Sequence, residues 1–400
     1  MPTVPARTAH LVSPPFDVLN QRASKLRATG HDVISLGQAV PGFGPPKAAI
    51  EAARRALEDP QAHRYSADAG IVTLREALCD KLAEHRQIRA RPDEVIITAG
   101  GNQAFMLAAM TLIDPGDEVV LTTPYFVNHE MTIRAIGGVP VEAPLNETHG
   151  FKPCWTAIEP HLTSRTLAGV LCSPSNPTGA VIERDELART VHHLSSRGIT
   201  VFSDETYLHF VQHDCPAEVG IHEGRPDDPA SAAAVADWRD NVVVVGTFSK
   251  SFGMTGWRVG YMLADQRVCE QALKIQDAMI ICAPTISQIA VEAAIRDDWN
   301  YAHAFHDELV ERRAALQQGI ETIARLHWTP TSGGFFAFVS VTDCADSMAL
   351  ASDILDRAHV VTIPGASFGS AGKRFLRLSY GAVGVEQLRE AFSRLQKYFG

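Results

Sequence analysis

Residues 242–263 read VVVVGTFSKSFGMTGWRVGYML. Two apolar runs, Val242–Gly246 and Val259–Leu263, flank a turn that carries Lys250 and Arg258. A strand that is apolar at successive positions buries both its faces, as in a sheet covered by helices on either side. Outward from this point the same reading holds for Thr200–Ser203, Leu167–Cys172, Val139–Glu142, Glu118–Thr122 and Glu94–Thr98. Helical patterns alternate with these runs; a glycine pair opens one of them, the small-residue stretch Gln103–Ile113. Asp114-Pro-Gly-Asp117 supplies turn chemistry before a strand. Strand–helix alternation over some 200 residues predicts an α/β layer with a largely parallel sheet.

The chain ends read differently. Residues 1–45 cluster prolines and glycines (Pro14, Pro15, Pro41, Gly42, Gly44, Pro45, Pro46) and suggest an arm or lid. Long helical patterns, Gln288–Asp297 and Ala302–Ala324, precede the strand-like Phe335–Val341 and Arg374–Leu378, and the amphipathic Val385–Phe399 closes the chain. The expected division is an arm with part of a small domain (1–45), a large domain (46–290) and a small α+β domain (291–400). The Pro-, Ala- and Asp-rich residues 213–240 suggest a surface insertion.

Composition narrows the function. Among 400 residues, 46% are hydrophobic and 20% charged, the balance of an ordinary globular protein. A net charge of −10 argues against nucleic acid or an anionic membrane as partner. No apolar run reaches a membrane span, and Met1–Leu11 lacks the apolar segment of a secretory signal. Seven scattered cysteines (79, 154, 172, 215, 269, 282 and 344) include no Cys-x-x-Cys pair, which fits a reducing, cytoplasmic setting and offers no metal cluster. His192, His193, His209 and His213 have no such cluster beside them and read as surface or core residues.

Four motifs fall at expected strand ends, where open α/β sheets bind ligands. They are Gly100-Gly101-Asn102, Ser175-Asn-Pro-Thr-Gly179, Asp204-Glu-Thr-Tyr207 and Thr247-Phe-Ser-Lys250 with its continuation to Arg258. Each alone is weak: a strand-end lysine is usually a solvated charge, and Asp204 could cap a helix. Their joint order is specific, and from about Ile34 to the C-terminus the chain resembles the class I/II aminotransferases of the aspartate aminotransferase superfamily, fold type I.

The resemblance implies a mostly parallel seven-stranded sheet between helices plus a smaller α+β domain built from both chain ends. It also implies pyridoxal 5'-phosphate, bound by Lys250 as a Schiff base. A lysine amine can condense with an aldehyde and later act as a base. Asp204 matches the carboxylate that keeps the pyridine nitrogen protonated, and Tyr207 and Asn176 match the partners of the phenolic oxygen. Gly100, Gly101, Asn102, Thr247 and Arg258 match the phosphate cradle, a helix start with a hydroxyl and a guanidinium. Tyr65 matches a tyrosine that reaches the neighbouring subunit's phosphate, which implies a homodimer with shared sites. Phe126 stands where the family stacks an aromatic ring, often Trp, on the cofactor, and Arg377 matches the arginine that takes the substrate α-carboxylate.

Two departures bear on substrate. Ala39 replaces a common glycine in the loop Leu36-Gly-Gln-Ala-Val-Pro41 that covers the substrate carboxylate in the family. The resemblance also implies that aspartate-specific relatives place an arginine near Gln276–Pro284 to grip the substrate's side-chain carboxylate from the partner subunit, whereas Ala278–Pro284 here is uncharged, which argues against strict aspartate selectivity. The expected reaction moves an amino group from an L-amino acid to a 2-oxo acid. The alternative keeps fold and cofactor but eliminates, replaces or cyclises a substituted amino acid in biosynthesis, because one electron sink serves all these reactions. A non-catalytic sensor domain would need an appended binding module, for which the residues before Ile34 leave little room.

Overall fold

A computed structural model describes residues 5–9, 11, 13–212 and 230–400. His213, Cys215 and most of the expected insertion lie outside the described residues. The central sheet has seven strands in the order Val95–Thr98, Gly260–Leu263, Val242–Thr247, Thr200–Asp204, Thr166–Cys172, Glu118–Thr123, Val139–Pro144. Gly260–Leu263 runs antiparallel to both its neighbours, and the remaining pairings are parallel. All seven are the strands expected from the apolar runs, displaced by at most two residues at an end.

Alternation along the strands explains the covering layers. Ile96, Val119, Leu121, Val170, Phe202, Val243, Val245 and Met262 face one side, against helices Gly101–Leu112, Val127–Ile136 and Gln266–Ile280. Ile97, Val120, Leu171, Val201, Val242, Val244 and Leu263 face the other, against Lys47–Ala56, Val72–Arg86, Arg184–Ser195 and Thr285–Asp297. Burial on both faces is why these strands read as unbroken apolar runs.

A second sheet of four strands, ordered Ile363–Pro364, Phe375–Ser379, Phe336–Val341, Leu326–His327, is antiparallel throughout. Helices His306–Glu321, Ser347–Ala358 and Val385–Phe399 pack on one of its faces through Leu316, Ile354 and Leu388. Its other face carries Phe338, Phe375 and Ile363, which cluster with Phe368 and bury Leu19 and Ala23 of a helix, Phe16–Ala28. That helix was masked in the sequence by Pro14 and Pro15. Pro15 stands at its N-cap, outside the helical ladder, where a missing N–H costs nothing. Ile34–Ser35 then pairs with Val360–Val361, so both chain ends build this layer.

The expected surface insertion needs correction at its far end. Ala230, Ala232, Ala233 and Trp238 are buried in the main core. Glu205 ties this segment to the strand end by accepting hydrogen bonds from Ser231 Oγ (2.7 Å), Ala232 N (3.1 Å) and Ser203 Oγ (2.9 Å). Burial pushes the Glu205 carboxyl up to about 7, partly opposed by those donors.

Gly260 marks where the fold tolerates no side chain. A Cβ there would sit 2.7 Å from the Gly100 carbonyl carbon, 2.7 Å from Gly246 O and 2.8 Å from Gly101 N, all backbone atoms. Gly260→Ala should cost about 1–3 kcal/mol, the usual penalty of overpacking, read as a lower urea midpoint at unchanged m-value. An unchanged midpoint would show that the Gly100–Gly101 turn can yield.

Candidate active site

The C-terminal edge of the central sheet and the second sheet enclose one cavity of about 390 Å³. Its walls include Gly37–Val40, Gly101, Asn102, Phe126, Asn176, Asp204, Tyr207, Thr247, Lys250, Arg258 and Arg377. Each residue reaches it for a local reason. Asp204 and Thr247 end the strands Thr200–Asp204 and Val242–Thr247, Lys250 lies on the short helix Phe248–Ser251, and Phe126 precedes Val127–Ile136. Arg377 comes from the middle of Phe375–Ser379 in the other sheet.

Two sequence-derived candidates stand apart. Gly100 is not in the wall but supports it: it precedes helix Gly101–Leu112 with φ +87°, and a Cβ there would lie 2.4 Å from Arg258 Nη2. Glycine is the residue that adopts this conformation and permits this approach. Tyr65 is 77% exposed and lies beside Ile280–Ile286, outside its own chain's cavity.

At one end of the cavity the helix start at Gly101 faces Arg258. The guanidinium donates to Thr255 O (2.8 Å), Ala99 O (3.3 Å) and Ser249 Oγ (3.4 Å), and Arg258 itself adopts φ +54°, uncommon for a non-glycine residue. Thr247 Oγ1 caps the next helix by accepting from Ser249 N at 3.2 Å. Helix N–H groups, two hydroxyls and a guanidinium converge as a phosphate site requires.

At the centre Asp204 is 6% exposed. Burial would raise its pKa, but hydrogen bonding to and the charge of His129, with further bonds from Thr206, hold it below the ordinary value. Thr206 N donates to Oδ1 at 3.0 Å, and His129 Nε2 lies 3.0 Å from Oδ2. With the carboxylate ionised, the Nε2–H is the donor. Sequence reasoning missed His129. Its only signal was its place three residues after Phe126, whose ring meets the imidazole edge-on at 5.3 Å. Ser249, Thr206, Phe16, Asp17, Asn20, Asn128 and Thr132 were likewise not anticipated as lining residues.

Lys250 Nζ donates to Ala39 O at 2.7 Å. Burial, then the Arg377 and Arg258 charges, lower its pKa to about 8, against the opposing pull of Asp204. Arg377 is 2% exposed and donates to Asn176 Oδ1 (2.8 Å) and Gly37 O (2.6 Å), leaving Nε without a partner. Phe16, Phe336 and Phe368 surround it at 5.1–5.5 Å, and burial lowers its pKa to about 10, so it stays cationic. Tyr207 sits between, its hydroxyl pKa raised by burial and its ring edge-on to Phe335 and Phe336.

Lys250, the ionised and buried Asp204, the guanidinium of Arg258 beside a helix start and the buried guanidinium of Arg377 thus share one cavity. The chain belongs to the class I and II aminotransferases, whose family model matches residues 31–395. It is an aminotransferase, a transferase enzyme. A probable aspartate/prephenate aminotransferase of Aquifex aeolicus is 33% identical over 399 residues, covering 98% of this chain and 97% of the relative. Aromatic-amino-acid aminotransferase 2 of Thermococcus litoralis is 31% identical over 91% of each chain. The structure of Thermus thermophilus aspartate aminotransferase with maleate superposes with a TM-score of 0.90 at 30% identity, covering 99% of this chain and 100% of that one.

The depressed Lys250 pKa has a direct readout in cofactor-free protein. Only the neutral amine is nucleophilic, so its arylation by trinitrobenzenesulfonate should rise with pH through a midpoint near about 8 and then level off. Arg377→Met removes a cation and should move that midpoint upward. Titration of Lys250 at the ordinary lysine value would contradict the burial and charge argument.

Proposed function

We propose that the cavity binds pyridoxal 5'-phosphate and uses it to move the amino group of an L-amino acid to a 2-oxo acid. The observation that carries this reading is the meeting of Lys250, Asp204, Arg258 and Arg377 in one cavity, although they come from separate strand ends and two sheets. The residues fit the group: the Gly101 helix start with Thr247, Ser249 and Arg258 suits a phosphate dianion, and ionised Asp204 suits a pyridinium N–H. When bound, the cofactor supplies an aldehyde that takes up amines and a cationic ring that accepts an electron pair.

In this reading Lys250 would carry the cofactor, and its amine, when free, would hold or deliver the proton at the substrate α-carbon. Its neighbour Ala39 O accepts from the amine and orients it. Asp204, held by His129, would keep the proton on the ring nitrogen. Tyr207 and Asn176 are assigned to the phenolic oxygen, and Phe126 to the ring face. Arg377 takes the α-carboxylate in two parallel hydrogen bonds, with Asn176 and Gly37 O already fixing its plane. Gly100 keeps room for Arg258.

We assign the active form as a homodimer in which Tyr65 reaches the phosphate in the other subunit's cavity. Its exposure, beside the exposed Met279 and Ile280, supports this. We place the large domain at 46–290 and the small domain at 291–400, with the exchange between their cores spread over 291–305. Ile295 and Trp299 bury in the core of the central sheet, whereas Ala302 joins the core of the second. A cytoplasmic location is proposed from the described cysteines, all of them free. Among the described residues no helix is long and apolar enough to cross a membrane.

Lys250→Ala should lose the visible absorbance of lysine-bound cofactor and nearly all turnover while the far-UV circular dichroism stays native. Persistence of that band would assign the linkage to another lysine. Asp204→Ala should keep the band but slow α-proton exchange severely, with partial rescue by an N-methylated cofactor. Normal exchange in that variant would remove Asp204 from its role.

For the shared site, mixing Lys250→Ala chains with Tyr65→Phe chains should give heterodimers with one intact site and activity above either parent. A fully active monomer by light scattering would end the dimer proposal.

A further inference from the structure

The cavity wall that none of these roles uses is the start of helix Phe16–Ala28, which contributes Phe16, Asp17 and Asn20. Among the described residues three Lys and Arg side chains line the cavity, and each has a place in the reading above: Arg258 at the phosphate cradle, Lys250 at the cofactor, Arg377 at the α-carboxylate. Of the two carboxylates that line it among the described residues, Asp204 is bound to His129 and Thr206. Asp17 is the other, and it is exposed at the mouth. The wall also carries the amides Asn20, Gln38 and Asn128 and the hydroxyl of Thr132, with no further Lys or Arg among the described residues of this subunit.

The position of Asp17 is fixed by its helix. Phe16, one residue earlier, lies 5.5 Å from the Arg377 guanidinium, so the helix start adjoins the group assigned to the α-carboxylate. Leu19 and Ala23 anchor the helix in the apolar layer beneath, and Arg22 pairs with Asp356. A substrate whose α-carboxylate lies on Arg377 is therefore next to a helix start that carries one negative charge, Asp17, and among the described lining residues of this subunit the only Lys and Arg are the three already assigned. A second carboxylate beside Asp17 meets repulsion, whereas a cation gains a partner.

We propose that Asp17 sets the charge sign of the accepted side chain, directing donor selectivity toward amino acids with a cationic terminus and against dicarboxylic donors. This rests on the aminotransferase reading of the site and goes beyond it by naming the substrate class. The competing account is that Asp17 only stabilises the first helical turn, where an acidic residue is favourable in any protein.

The test measures single-turnover kcat/KM of the holoenzyme with arginine, glutamate and glutamine, in wild type and in Asp17→Asn, Asp17→Lys and Asp17→Glu. Glutamine is the neutral reference for each enzyme. In Asp17→Asn the arginine/glutamine ratio should fall and the glutamate/glutamine ratio rise, each by about twofold to fivefold, the range of one solvent-screened charge pair. Asp17→Lys should extend both changes, Asp17→Glu should restore the wild-type order, and added salt should shrink the differences.

A second readout avoids turnover: calorimetric binding of δ-guanidinovalerate against glutarate, neither of which carries an amine to react at an α-carbon. Asp17→Asn should narrow the preference for the guanidino acid. Ratios and binding preferences unchanged in Asp17→Asn and Asp17→Lys would overturn the inference and leave Asp17 a helix-start residue. A wild-type enzyme that prefers glutamate to arginine would overturn it as well. A wild-type enzyme that transaminates no amino acid would instead bring down the parent reading, so the two failures are distinct.

Discussion

Charge crowding governs this molecule. Lys250, Arg258 and Arg377 share a cavity of about 390 Å³ in which the buried Asp204 is the deep counter-charge. In a medium less polarisable than water, like charges at such spacing raise the energy of the folded state. The depressed Lys250 pKa is the visible part of that cost, since Arg377 and Arg258 follow burial as its causes. An anionic ligand relieves it, so a phosphorylated cofactor and a carboxylate substrate would each contribute to folding stability as well as to chemistry.

The two sheets divide the work of holding those charges apart. The parallel strands bring Asp204, Thr247 and Lys250 to one edge, because consecutive strands that run the same way end on the same side. The antiparallel strand Phe375–Ser379 brings Arg377 from the opposite side, on a backbone paired with Phe336–Val341 and Ile363–Pro364. Aromatic rings around the guanidinium exclude water, and Asn176 and Gly37 O fix its plane. The site is thus assembled from rigid elements, and the loop Gly37–Val40, touched by Lys250, closes the remaining side.

Much of this was legible in the sequence because burial on both faces leaves an unmistakable mark: Val242–Val245 has no polar residue to blur the strand. The chemical motifs were legible because they sit immediately after such strands. His129 was not, since its link to Asp204 spans 75 positions and two separate strand ends, and only the sheet order brings the two together. Helix Phe16–Ala28 was hidden by a proline pair that reads as a break, although a proline just before a helix is compatible with its start. The buried stretch at Ala230–Trp238 looked like surface because its composition is that of a loop, while in the fold its alanines and Trp238 pack into the main core and Glu205 holds Ser231 and Ala232 by hydrogen bonds.

The attachment of helix Phe16–Ala28 has an evolutionary consequence. It adheres through Leu19, Ala23 and a surface ion pair, without joining either sheet. Exposed positions on such an element can change with little effect on the core, since surface substitutions seldom cost more than about 0.5 kcal/mol. Yet its first turn forms part of the reaction chamber. Descendants of one ancestral enzyme can therefore diversify in diet by altering this terminal segment, while the machinery that breaks and makes the carbon–nitrogen bond is inherited intact.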